Sequence, residues 1–188
     1  FRRVLFRSGS VSSSAASTVT VTTPSTLPSP WQDSDVGSTG VAGSASYTGG
    51  VFSVKGSGVD VWDANDSFNY LSQPLSGDGT IVARVVSQQN TDPWALAGVM
   101  IRESLAANSR HALAAVTPSN GISFTSRSTA GSTSSYTNGN AGAAPYWLKL
   151  TRVGNVFTAY KSSNGTSWTQ YAQQTIRSEE HTSELQSH

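Results

Sequence analysis

Along most of this chain apolar and polar side chains alternate one by one, the period of a strand with one buried face. In "TIVARVVSQQ", Ile81, Ala83 and Val85 share one face, and Val82, Arg84 and Val86 the other. "GISFTSRST" sets Ile122 and Phe124 inward against Ser123, Thr125 and Arg127 outward. In "PYWLKLTRVGNVFTAYKSSNGTSWTQY", Tyr146, Leu148 and Leu150 alternate with Trp147, Lys149 and Thr151. Phe157 and Ala159 then alternate with Thr158 and Tyr160. Gly49-Gly50, Gly154-Asn155 and Asn164-Gly165 are tight-turn signals between such runs. No segment has a convincing helical period; "WALAGVMI" passes for one on apolarity alone. Ten or more short strands predict an all-β, two-sheet antiparallel sandwich.

In "DPWALAGVMIRES", Trp94, Leu96, Gly98, Met100 and Arg102 share one face, with Val99, Ile101 and Glu103 on the other. The Val/Ile face is the better core. Met100 and Arg102 are then expected on a concave outer surface with Arg84, Arg127, Trp147 and Lys149. Such a surface suits a polysaccharide groove. An equally good reading gives Arg102 an ordinary structural role, pairing near Glu103 or with a turn carbonyl.

Composition fits a β-protein. Only 12% of the 188 residues are charged and 36% are hydrophobic, with 17 Gly and no Cys. Without Cys there are no disulfides, thiolate metal sites or Cys nucleophiles. No apolar run approaches the ~18 residues of a membrane span.

Charge gathers at the ends, "FRRVLFRS" and "RSEEHTSELQSH". Phe1–Ser8 can be encoded as TTCAGACGTGTGCTCTTCCGATCT, whose reverse complement translates as RSEEHTSE, the sequence from Arg177 to Glu184. The two ends resemble a translated sequencing adapter read in opposite directions, so 1–8 and 177–188 are set aside as adapter-like and expected to be unpacked or to take accidental structure. Residues 9–176 then hold eight Lys/Arg and eight Asp/Glu. This neutrality argues against nucleic acid as a partner. His111 and Glu103 become the lone histidine and glutamate. Residues 9–30, rich in Ser, Thr and Pro, read as the end of a preceding domain and a linker; 31–176 form the sandwich.

The blocks "LPSPWQDSDVG", "GDGTIVARV", "WALAGVMIRESLAANSRHALAAVTP" and "PYWLKLTRVGNVFTAYKSSNGTSW" resemble, in order, a bacterial domain family labelled "regulation of enolase protein 1-like". The resemblance spans about Pro28 to Tyr171. It implies a concanavalin A-like jelly roll of the lectin/glucanase kind. It also implies an accessory module of unknown function in secreted or cell-surface multidomain bacterial proteins, with neighbouring domains of the same chain as partners.

Glycoside hydrolysis normally needs two carboxylates at a set separation. Glu103 has Ile101 and Leu105 at its i±2 positions, and the seven Asp residues lie mostly in turn-like contexts. No G-x-S-x-G elbow accompanies His111, which reads as a packed strand histidine near Arg110. No catalytic residue is therefore assigned. "VDVWDANDSFNY" is the richest loop: Trp62, Phe68 and Tyr70 offer flat faces for sugar rings, and Asp60, Asp63, Asn65 and Asp66 offer oxygens for hydroxyls, while the competing reading is a turn rich in Asx caps with core aromatics. Those oxygens also suit calcium, but the spacing is not that of an EF-hand loop, and no cofactor is assigned. The expected ligand contacts are Trp62, Asp63, Asp66, Trp94, Arg102 and Trp147, with a polysaccharide or other glycan as partner. A ligand-free structural or adhesive spacer is the alternative, and a glycoside hydrolase a third reading.

Overall fold

The computed structural model describes residues 27–177 in full and the backbone alone of Arg2–Arg7. The linker region 9–26, with its Val/Thr alternation, and the tail from Ser178 onward lie outside the described residues.

The described chain is an antiparallel β-sandwich without helices. The larger sheet contains β1 (Arg2–Arg7), β2 (Gln32–Val36), β5 (Phe68–Pro74), β7 (Ala97–Arg102), β8 (His111–Val116), β9 (Ile122–Arg127) and β10 (Ser135–Asn138). They lie in the order β10-β9-β8-β7-β1-β5-β2. Facing it is a sheet ordered β13-β12-β11-β6, from β6 (Gly79–Val85), β11 (Tyr146–Val153), β12 (Val156–Ser162) and β13 (Thr169–Thr175). The hairpin β3 (Ser44–Thr48) and β4 (Val51–Lys55) stands apart, turning at Gly49 and Gly50 with φ of 57° and 85°. Both angles are in the left-handed region that Gly enters without Cβ strain.

The alternation read from sequence sets the core between the sheets. Ile81, Val85, Leu148, Leu150 and Phe157 meet Val99, Ile101, Ile122 and Phe124 there, all buried. At ~25 cal/mol per Å² of apolar surface, each such side chain stabilises the fold by about 1.5–3 kcal/mol. Asp33 and Asp35 belong to β2 instead of turns, and Asp35 accepts hydrogen bonds from the Gly43 amide and from Asn69 Nδ2.

The other face of the larger sheet departs from expectation. Met100 and Arg102 point away from the core as the alternation requires, but both are fully buried. A second apolar cluster, including Val61, Phe68, Leu96, Met100 and Leu113, fills that side. Val61 comes from the segment between β4 and β5, and Leu105 and Ala107, between β7 and β8, pack against the cluster. An open concave groove along β7 and β9 is thereby replaced by a second packed layer.

The N-terminal segment, expected to be unpacked or to take accidental structure, has the backbone of a strand. β1 pairs antiparallel with β5 on one side and β7 on the other, with Val4 opposite Ser72 and Met100. Ladder hydrogen bonds use main-chain groups, and Val, Leu and Phe are strand-favouring residue types, so this short stretch satisfies both neighbours.

Candidate functional site

Beneath the second layer, Asp66 anchors a buried ionic cluster. Arg127 NH2 donates to Asp66 Oδ1 at 2.6 Å and NH1 to Oδ2 at 2.9 Å, a two-pronged grip that matches the fork of the guanidinium to the carboxylate. Arg102 NH1 donates to the same Oδ2 at 3.0 Å. His111 Nδ1 lies 3.6 Å from Oδ2. All four side chains are wholly excluded from solvent.

Other guanidinium donors meet carbonyls: Arg102 donates to Ser104 and Ala106, and Arg127 to Ser132, Ser109 and Asp63, while Arg102 NH1 also faces Met100 Sδ at 3.7 Å. The Phe68 and Tyr70 rings lie 5.2 and 5.8 Å from Arg102 Cζ. Burial is the main influence on His111 and pushes its pKa from 6.5 to about 3; Asp66 opposes the fall, and the two arginines add to it. His111 is neutral in the folded protein at ordinary pH.

This cluster fastens the loop that carries the surface site. Asp66 and its amide, which donates to Ala107 O at 2.9 Å, hold the segment's C-terminal end. The Ser67 amide donates to Asp60 O, and the Ser134 amide to Trp62 O at 2.7 Å. Gly58, with φ of 152°, lets the segment pass against Ser67, where a Cβ would sit 1.9 Å from the carbonyl oxygen. Trp94 is set by an Asx turn, its amide donating to Asp92 Oδ1 at 2.7 Å.

Three aromatic rings meet at the surface as a result. Trp62 and Trp94 each lie against Tyr136 of β10, with ring centroids 6.2 and 6.3 Å apart and interplanar angles of 65° and 74°. They remain 40%, 56% and 37% exposed. Together with Asp60, Val61 and Leu96 they line a pocket of about 310 Å³, at the small end of ligand-site volumes. Ser123 and Thr125 from the outward face of β9 complete it. The Ser123 hydroxyl is buried and has no hydrogen-bond partner among the described residues. Asp60 stays exposed as a residue, yet partial desolvation of its carboxyl raises its pKa. The Val61 amide opposes this rise, and the charges of Asp63, Asp66 and Asp92 add to it.

Of the sequence-derived contacts, Trp62 and Trp94 line this pocket together, and Asp63 is exposed on the same loop. Asp66 and Arg102 are corrected: they are buried and committed to each other, because the second layer covers them. Arg102 instead takes the structural role, bonded to turn carbonyls. Trp147 belongs to the other sheet, opposite Arg84, along a separate cleft of about 780 Å³. His111 packs on β8 as expected, but beside Asp66 and Arg127; Arg110 pairs with Glu103 at 3.3 Å.

Tyr136, Ser123 and Thr125 were not singled out from sequence as ligand contacts. The outward position of Ser123 and Thr125 in "GISFTSRST" was the available signal. For calcium the donor set fits poorly, since both Asp66 oxygens are held by guanidinium groups. Among the described residues no three His, Asp or Glu side chains converge as metal ligands.

No family model, curated protein or solved structure matches the chain.

Proposed function

We propose that this is a non-catalytic accessory β-sandwich module that binds carbohydrate at the Trp62–Trp94–Tyr136 pocket, within a secreted or surface multidomain bacterial protein. The observation that carries the reading is three part-exposed aromatic rings around a small pocket, beside the Asp60 carboxylate and a buried hydroxyl unpartnered among the described residues. Aromatic faces take the C–H faces of sugar rings, and polar groups at the rim orient the hydroxyls. Asp66 and Glu103 are engaged with arginines, and Asp60 is the one carboxylate among the described residues lining the pocket, where glycoside hydrolysis normally uses two.

A ligand-free spacer is the second reading. It is favoured by the packed layer that occupies the expected groove and buries Arg102. A glycan array followed by titration of tryptophan fluorescence separates the two. Binding that Trp62→Ala and Trp94→Ala abolish supports the module; absence of binding to any glycan supports the spacer.

A further inference from the structure

Trp62 and Trp94 are each steeply inclined to Tyr136, so the three rings do not form one flat platform of the kind that suits a long neutral sugar chain. Rings set at an angle can face a bound group from more than one side. The negative face of an aromatic ring attracts a cation within about 6 Å of its centroid. Asp60, on the pocket wall, makes one hydrogen bond through its carboxylate, from the Val61 amide. Asp63 and Asp92 carry further negative charge nearby, and no described lysine or arginine pairs with any of these three. The arginines below the pocket are tied to Asp66 and to backbone carbonyls. The buried Ser123 hydroxyl of the same lining lacks a partner among the described residues and is a candidate donor or acceptor for a ligand hydroxyl.

We infer that the pocket selects a saccharide bearing a protonated amine, with the ammonium group between the aromatic faces and the Asp60 carboxylate and a ring hydroxyl at Ser123. The inference rests on the carbohydrate-binding reading and adds the charge of the sugar. A neutral or N-acetylated sugar of the same size meets the same rings and can give Asp60 a hydroxyl hydrogen bond, but it lacks the ammonium charge that pairs with the carboxylate. An anionic sugar is repelled by all three carboxylates.

The test is tryptophan-fluorescence titration of the full chain with glucosamine oligosaccharides, their N-acetylated counterparts, neutral glucose oligosaccharides and choline. The expected result is at least tenfold tighter binding of the glucosamine oligomer. That preference should collapse in Asp60→Asn and weaken with added salt, while circular dichroism shows the variant folded. Equal binding of neutral and amine-bearing oligomers overturns the inference and leaves the carbohydrate reading standing. Binding of no oligosaccharide overturns both, as does binding of choline alone.

Discussion

Arg127 holds both carboxylate oxygens of Asp66, at 2.6 and 2.9 Å, across 61 residues of chain and out of reach of water. Arg102 shares one of those oxygens at 3.0 Å. Removing one member of a buried ion pair leaves the other charged without compensation, which costs about 3–5 kcal/mol. Asp66→Asn should therefore destabilise the domain by about that amount in urea denaturation. A loss below about 1 kcal/mol would mean that solvent reaches the cluster.

His111 should make stability pH-dependent. In the unfolded chain it titrates near 6.5, and in the folded protein burial lowers this to about 3. Between these values the unfolded state binds a proton that the folded state refuses, so stability falls as pH falls from 6.5 toward 3. The slope approaches ~1.4 kcal/mol per pH unit, and above 6.5 this group contributes no pH dependence. Urea midpoints between pH 7 and 4 should show a shallower decline in His111→Asn than in the parent chain.

Trp62→Ala and Trp94→Ala should leave the unfolding midpoint nearly unchanged, because both rings are substantially exposed. Each should weaken saccharide binding by roughly tenfold or more, the loss typical of an aromatic anchor at about 1.4 kcal/mol or above. Isothermal titration calorimetry against the best glycan reads this directly. A midpoint drop that parallels the binding loss would assign the rings to the core.

Gly98 lies in β7 where a Cβ would stand 2.0 Å from Ala114 O and 2.6 Å from Ala115 Cα. Those atoms are neighbouring backbone and cannot rotate aside. Gly98→Ala should cost about 1–3 kcal/mol through forced displacement of β8. Thermal denaturation checks it; an unchanged Tm would show that the β7–β8 pair gives way easily.

The central core was legible because a half-buried strand advertises its inward face. Ile81, Val85, Leu148 and Phe157 all lie where their alternation puts them. The fate of Met100 and Arg102 was not legible. Alternation tells which residues share a face, and it is silent on whether a loop lies over that face. The covering residues, Val61, Leu105 and Ala107, sit in irregular segments with no period to read. Trp62 stands out in the sequence as a loop aromatic, and Trp94 as a member of the outward face of "DPWALAGVMIRES", although β7 begins only at Ala97. Their meeting through Tyr136 depends on β10 lying at the end of the larger sheet, and no local pattern in "SYTN" announces that.

The ionic cluster has a consequence in time. Asp66 reaches its two arginines over separations of 36 and 61 residues, so the chain must close long loops before any of these contacts contributes. Contacts between residues so distant in sequence slow folding, and we expect these to follow the pairing of β7, β8 and β9. Trp62 sits on the loop that these contacts secure, and Trp94 meets the same pocket through Tyr136. Their fluorescence should mature after the sheet signal in refolding, which makes the pocket the last part of the molecule to exist.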